Sequence, residues 1–217
     1  NANPEGKKYA GTSYIIFGKS GGFTAVDLSN LGSDGFAING AEARDFSGTT
    51  IASAGDVNND GFSDLIIGAN PASPGGKIFA GRVYVIFGKA SGFATIELSN
   101  LGSDGFVING AAARDQAGFS VASAGDVNND GFSDLIIGAP RAHASKGASY
   151  VIFGKASGFA TIELAHLGSA GFIINGAVAG NSPMTGDLSG KSAASAGDLN
   201  NDGFSDLIIG APWAPAK

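Results

Sequence analysis

Residues 52–69 read ASAGDVNNDGFSDLIIGA, and the same eighteen letters return at 122–139. They return once more at 194–211 with a single change, Leu199 in place of Val. Asp56, Asp126 and Asp198 therefore hold one place in three copies, 70 and 72 residues apart. Self-similarity at a fixed period is the mark of a repeat architecture, in which each unit buries its apolar face against the next. Two further blocks keep the same period. One is SYIIFGK at 13–19, VYVIFGK at 83–89 and SYVIFGK at 149–155; the other is LGSDGFAING at 31–40, LGSDGFVING at 101–110 and LGSAGFIINGA from 167. The near-identity points to recent duplication or to deliberate symmetrisation.

The second copy shows what one unit contains. Residues 83–87 are β-branched and aromatic and stop at a Gly-Lys turn. Residues 106–109 follow an Asp-Gly turn signal, 119–124 alternate small and apolar side chains, and 135–137 form a short buried run ended by Gly-Ala-Pro. Segment 93–98 reads equally as an added strand, a helical turn or an ordered loop. Four short strands with turns every 8–15 residues predict an all-β fold of propeller blades, four antiparallel strands each. A period near 70 is long for a blade, and segment 93–98 accounts for the excess. The copies differ where loops belong. Loops 70–82 and 140–148 share little composition, and the third copy carries an insertion ending in GNSPMTGDLSG at 180–190.

Composition agrees. The 217 residues include 36 Gly without a three-residue period, so collagen is excluded while turn-rich β-structure is favoured. Apolar residues make up 43% and charged residues 15%, which argues for a packed core and against disorder. No Cys is present, which removes disulfides, thiol nucleophiles and Cys-based zinc sites. The net charge of −6 argues against a nucleic-acid partner. The longest apolar runs fall far short of a membrane span, and the first residues carry no basic segment followed by an apolar one, so neither membrane insertion nor a signal peptide is expected in this sequence.

The chemistry sits in the heart of the repeat, D-x-N-x-D-G-x-x-D. In copy one, side-chain oxygens stand at Asp56, Asn58, Asp60 and Asp64; Gly61 permits the left-handed turn, and the carbonyl of Phe62 would point inward. Five oxygen ligands, three of them carboxylates, select Ca²⁺ over transition metals, and over Mg²⁺, which keeps its waters. The loop is not an EF-hand, because position 12 is Ile67, Ile137 or Ile209 and the flanks are strands. Such residues also form plain Asx-rich turns. Against that stands the charge: nine of the 19 acidic residues lie in these loops, three per loop, and three Ca²⁺ would bring the formal charge from −6 to about zero.

The run AGDVNNDGFSDLIIGAP with VYVIFG downstream resembles the FG-GAP repeat of integrin α-subunit β-propellers and their bacterial relatives. Phe-Gly at 87–88 and Gly-Ala-Pro at 138–140 carry the family name, and the resemblance covers essentially the whole chain as one segment, 1–217, of three repeats, about 9–78, 79–145 and 146–217. It implies one Ca²⁺ per loop, three per chain. By motif match the ligands are Asp56, Asn58, Asp60, Phe62 and Asp64, then Asp126, Asn128, Asp130, Phe132 and Asp134, then Asp198, Asn200, Asp202, Phe204 and Asp206. Copy one departs at Asn70, which replaces the Pro of Gly-Ala-Pro, and at Thr49-Thr50; neither is a ligand position.

The strand phase adds a topological expectation. The family blade begins before the acidic loop, so the chain holds two whole blades (about 46–110 and 116–176), the outer half of another (about 10–40) and the inner half of a last one (about 188–212). Three blades are too few to close a ring of four-stranded sheets. Two chains exchanging halves would close six blades as a homodimer, and a trimer or a longer chain supplying the missing strands are the alternatives.

Function is expected to be non-catalytic, with no catalytic or organic-cofactor residues assigned. His143 lies in a variable loop and His166 stands where the other copies have Asn30 and Asn100. The expectation is a calcium-binding scaffold for protein interaction or adhesion, secreted or on the cell surface, with a protein or glycan ligand held by unrepeated loops. The alternatives are an engineered or newly duplicated assembly without a ligand, and the propeller part of a larger secreted hydrolase. Trp213 reads as packing, Arg44–Asp45 and Arg114–Asp115 as blade-to-blade or turn contacts, and the Phe residues of the FG and DGF positions as core.

Overall fold

The computed structural model describes residues 6–22, 25–180 and 186–215. Fourteen strands are found among them: β1 (Thr12–Ile16), β2 (Gly35–Asn39), β3 (Thr50–Gly55), β4 (Asp64–Ala69), β5 (Arg82–Ile86), β6 (Ile96–Glu97), β7 (Gly105–Asn109), β8 (Ser120–Gly125), β9 (Asp134–Ala139), β10 (Ala148–Ile152), β11 (Ile162–Glu163), β12 (Gly171–Asn175), β13 (Ser192–Gly197) and β14 (Asp206–Gly210). The predicted strands all appear, displaced by one or two residues at their ends.

The strands form two whole four-stranded antiparallel blades, β3-β4-β5-β7 and β8-β9-β10-β12, flanked by the half blades β1-β2 and β13-β14. The phase is the one the sequence predicts. The two half blades are not paired with one another, so the described strands form an open array and no ring closes within the chain. Each inner pair is a hairpin with a register shift just before the acidic loop, at Ser53/Gly55, Ser123/Gly125 and Ser195/Gly197. The bulge glycines sit at φ 75, 74 and 72, a left-handed conformation that side chains resist.

Central strands carry the core. β9 is buried along its whole length and β4 along nearly all of it, because both of their faces pack against neighbouring sheets. Adjacent blades meet at their inner strands. Thr50 Oγ1 donates to the Gly118 carbonyl at 2.8 Å and Ser120 Oγ to the Gly190 carbonyl at 2.9 Å. This approach needs glycine: a Cβ on Gly138 would run into the Gly190 carbonyl and Ser120 Oγ.

Segment 93–98, left open by the sequence, is a clasp between blades. β6 adds in parallel to β2 of the preceding half blade, Ile96 beside Ile38 and Glu97 beside Asn39; β11 does the same to β7. The Asn39 amide donates to Glu97 Oε1 and the Asn109 amide to Glu163 Oε1, both at 2.6 Å. Phe93 stacks on Phe36 with ring centroids 5.0 Å apart, and Phe159 on Phe106 at 4.7 Å.

The arginine–aspartate pairs make the turn and blade-to-blade contacts expected of them, but Asp45 does not pair with the Arg beside it. Arg44 and Arg114 occupy left-handed turn positions, φ 70 and 71, and the partner of Asp45 is Arg82 on the next blade, at 3.4 Å. The shorter contact of Arg82 goes to Glu42, at 2.9 Å. Burial pushes the Asp45 carboxyl up to about 6, and the long Arg82 contact only partly offsets this. Arg82 itself stays charged: burial works against it, but Tyr84, Glu42 and Asp45 outweigh that. Since the folded value for Asp45 lies above the ordinary 3.8, folding disfavours its ionised form. That cost is full above about pH 6 and is relieved as pH falls toward about 4. Asp45→Asn is therefore expected to gain about 1–3 kcal/mol on the parent between about pH 4 and pH 8. Urea unfolding at the two pH values measures the difference, and parallel curves would show that Arg82 compensates Asp45 completely.

Candidate functional site

The acidic loops join β3 to β4, β8 to β9 and β13 to β14, at one end of each inner hairpin. Each loop folds on its own side chains. Asp56 Oδ1 accepts the Asp60 N–H at 3.1 Å and its Oδ2 the Gly61 N–H at 2.8 Å. Asn58 Oδ1 also accepts from Asp60 N–H at 3.1 Å, its amide donates to Asp60 Oδ2 at 2.9 Å, and Asp60 Oδ1 accepts the Phe62 N–H at 2.9 Å. The other two loops repeat this pattern. Asp126 and Asp198 accept from residues 130 and 131, and from 202 and 203, while Asn128–Asp130 and Asn200–Asp202 pair at 2.8 Å. Asp130 and Asp202 take the N–H groups of Phe132 and Phe204, both at 3.0 Å. Two left-handed residues let the chain wrap back: Gly61, Gly131 and Gly203 at φ 89–93, as predicted, and Asn59, Asn129 and Asn201 at φ 55–58. Asn tolerates that conformation better than other side chains, which is the local reason for the Asn-Asn pair.

The ninth-position aspartate plays a different part from the other three. Asp64 is buried, and its two oxygens accept the Val57 and Gly88 N–H groups, both at 2.8 Å. Asp134 is buried likewise and takes Val127 and Gly154, both at 2.9 Å. These aspartates tie the loop to its own first turn and to the Phe-Gly turn after the third strand of the blade. The Gly of the FG pair is thus explained: its amide reaches the acidic loop, and a Cβ there would strike Ser63 or Ser133 backbone. Burial raises the carboxyl of Asp64, and the charges of Asp60 and Asp56 raise it further; Asp134 is pushed up to about 6 for the same reasons, burial first. In these two loops the three carboxylates therefore repel one another.

Serine 63 and its equivalents were missed by motif reading. The Asp56 N–H donates to Ser133 Oγ at 3.2 Å while the Ser133 N–H donates to the Asp56 carbonyl at 3.0 Å, and the Ser205 N–H reaches the Asp126 carbonyl at 2.9 Å. The loops of neighbouring blades are thereby linked edge to edge. The signal was the invariant Ser of GFSD across the copies, a polar residue with no role inside its own loop.

Two expectations need correction. Phe62 and Phe204 of the DGF runs are exposed, because the loop turns them outward while its polar groups face in. Trp213 packs only in part: it is 45% exposed, with Lys191 Nζ 5.7 Å from its ring centroid. Of the 180–190 insertion, residues 181–185 lie outside the described residues. Asp187, within the same stretch, is buried and accepts the Ala177 and Val178 N–H groups, the third copy of the aspartate seen at 45 and 115.

Antiparallel four-stranded blades repeated along the chain, each inner hairpin closed by an acidic loop, define a β-propeller repeat protein. Residues 47–86, 117–152 and 192–217 match the FG-GAP repeat. The chain is an FG-GAP repeat protein, similar to integrin α-chains. It is 34% identical over 164 residues to the phosphatidylinositol-glycan-specific phospholipase D of Bos taurus, covering 74% of this chain and 18% of that one. It is 30% identical over 177 residues to integrin alpha-4 of Xenopus laevis (81% of this chain, 15% of the relative), and 28% identical over 205 residues to integrin alpha-3 of Cricetulus griseus (94% and 17%). The chain thus spans less than a fifth of the length of these curated relatives. Among the described residues no helix is long and apolar enough to cross a membrane.

Proposed function

We propose that the protein is a calcium-stabilised propeller scaffold for protein interaction or adhesion, with one structural Ca²⁺ in each acidic loop. The observation that carries this reading is the threefold recurrence of one loop conformation that gathers carboxylate, amide and carboxylate oxygens around a tight turn, backed in the first two copies by a buried aspartate. The donor set is all oxygen and fits a hard divalent ion. Asp56, Asn58, Asp60, the Phe62 carbonyl and Asp64 would hold it in copy one, with the equivalent residues in the other two. Among the described residues the acidic side chains now face backbone amides and form no closed cage. A cation would draw on oxygens that keep free lone pairs and would cancel the repulsion between them. Binding would staple the turn and add to stability, not open a groove.

The scaffold reading assigns no catalytic residue. Interaction with a protein or glycan would fall to the unrepeated loops, and a secreted or cell-surface setting, where calcium is abundant, suits the site. The match to a phospholipase D supports a second reading, a propeller accompanying a hydrolase in a longer protein. Calorimetric titration with Ca²⁺ tests the metal assignment. Three sites per chain are expected, with Mg²⁺ failing to compete at equal concentration; no heat and no binding would overturn it.

A further inference from the structure

The acidic loops of the two whole blades are not separate. Each is exposed at its tip, residues 59–63 and 128–131, and the ends of one loop are bonded to those of the next. Two connections cross from the second loop to the first. The more direct one runs through Ser133, which stands between Phe132 and Asp134. Its N–H donates to the Asp56 carbonyl at 3.0 Å, and its Oγ accepts the Asp56 N–H at 3.2 Å. Asp56, the first oxygen donor of its own loop, is thereby held at both backbone groups by the second loop. The Ser205 N–H repeats the first of these bonds between the third loop and the second, to the Asp126 carbonyl at 2.9 Å.

The second connection joins the two buried aspartates. Asp134 Oδ1 accepts the Gly154 N–H at 2.9 Å, and the next amide along, the Lys155 N–H, donates to the Val57 carbonyl at 3.0 Å. The Val57 N–H in turn donates to Asp64 Oδ2 at 2.8 Å. Asp134 in one blade and Asp64 in its neighbour are thus the ends of a single run of hydrogen bonds. The run lies in a buried, closely packed seam. Val57 is 1% exposed, and a Cβ on Gly154 would meet the Phe132 side chain and the carbonyls of Ser133 and Val57. A Cβ on Gly55 would likewise meet the Ser133 side chain. Packing this close passes a displacement on instead of absorbing it.

We propose that neighbouring acidic loops bind Ca²⁺ cooperatively, a filled loop fixing the first and ninth donors of the next through Ser133 and through the run from Asp134 to Asp64. The inference rests on the assignment of Ca²⁺ to these loops and concerns how the sites act on one another. Both connections leave the second loop beside or at a donor, Ser133 and Asp134, and both arrive at donors of the first, Asp56 and Asp64. Ordering one loop therefore orders part of the other, and the second ion meets a site that has less freedom left to lose. Electrostatics acts in the opposite sense, because a filled neighbour attracts a second cation less than an empty one with three carboxylates. That attraction passes between exposed loop tips and is screened by salt, whereas the buried seam is not. Cooperativity is accordingly expected to rise with ionic strength. Coupling between linked sites changes affinity by about 5–150-fold, and a seam of so few bonds belongs at the lower end, about five- to tenfold.

In the 217-residue chain, Asp60→Ala combined with Asp202→Ala removes an exposed donor from the first and third loops and leaves only the second able to fill. Amide hydrogen exchange is followed residue by residue by NMR as calcium is added. It is expected to slow at residues 130–132 of the second loop and, by about five- to tenfold, at Val57 in the emptied first loop and at Lys155. Slowing at 130–132 with none at Val57 and Lys155 would overturn the proposal and leave the calcium assignment standing; no slowing anywhere would overturn both. Calorimetry at physiological ionic strength gives a second readout. Asp202→Ala alone keeps the first two loops and should take two Ca²⁺ per chain with a Hill coefficient above 1. Adding Ser133→Ala should keep both sites and bring the coefficient nearer to 1. Two independent sites in Asp202→Ala, or a coefficient that Ser133→Ala leaves unchanged, would sink the proposal.

Discussion

Excess chelator is expected to lower the thermal midpoint by roughly 15–20 °C. A site held at a hundredfold excess of ligand over its dissociation constant contributes about 2.7 kcal/mol, so three such loops contribute about 8 kcal/mol. Unfolding entropy near 60 °C is about 2.1 cal/mol/K per residue, which for this chain converts that loss into the stated shift. The effect should be reversed by Ca²⁺ and not by Mg²⁺, since the smaller ion releases its waters reluctantly into a flexible loop of protein oxygens. Differential scanning calorimetry in calcium, in chelator and after calcium is restored measures it. A midpoint that does not move would remove calcium from the account and leave the loops as Asx-rich turns held by their own hydrogen bonds.

Asp134→Ala is expected to be the most damaging single substitution in a loop, and to remain so in chelator. It strands the Val127 and Gly154 N–H groups at a buried site, and each unsatisfied buried donor costs about 1–3 kcal/mol. Some of that is offset because burial already disfavours the Asp134 carboxylate. A net loss of about 2–4 kcal/mol is expected in the absence of metal. Asp130→Ala supplies the contrast. Its side chain is exposed and caps a local turn, so the variant should lose cation affinity and yet differ from the parent by less than about 1 kcal/mol in chelator. Urea unfolding of both variants with and without calcium separates the two roles. If the two aspartates behave alike in chelator, the ninth-position residue is a ligand only and not a link between the loop and the Phe-Gly turn.

The burial of that aspartate shows how far a repeat motif can be read. D-x-N-x-D-G-x-x-D announces oxygen-bearing side chains at fixed spacing, and Asp56, Asn58 and Asp60 fold onto the amides of one turn. The division of labour among them was not legible. Asp56, Asn58 and Asp60 satisfy amides within five residues, whereas Asp64 satisfies one amide seven residues back and another 24 residues on. A contact that crosses to the third strand of the blade leaves no mark in the loop's own sequence. Ser133 is a similar case: its partner is Asp56, 77 residues away on a neighbouring blade.

The clasp has the same character. GFATIEL is short, lacks a clear period and pairs with nothing in its own blade, so local propensity leaves it open. It becomes a strand because Asn39 and Asn109 present their amides to Glu97 and Glu163 at the edge of the preceding sheet. Two phenylalanines of the DGF runs illustrate the converse error: apolar character places Phe36 and Phe106 in the core as expected, while the turn geometry leaves Phe62 and Phe204 outside.

By itself the sequence determined the repeat, the strand order and phase within it, the acidic loops and the division into two whole and two half blades. These follow from identity between copies, turn chemistry and β-branched runs, all of which act over a few residues or are multiplied by repetition. Only the tertiary structure decided which amides hold Asp64 and Asp134, where segment 93–98 docks, and how the loops of adjacent blades are linked. Those depend on surfaces brought together from residues 20 to 80 positions apart, where the free energy comes from burial and from satisfying polar groups against a partner that the local sequence does not name.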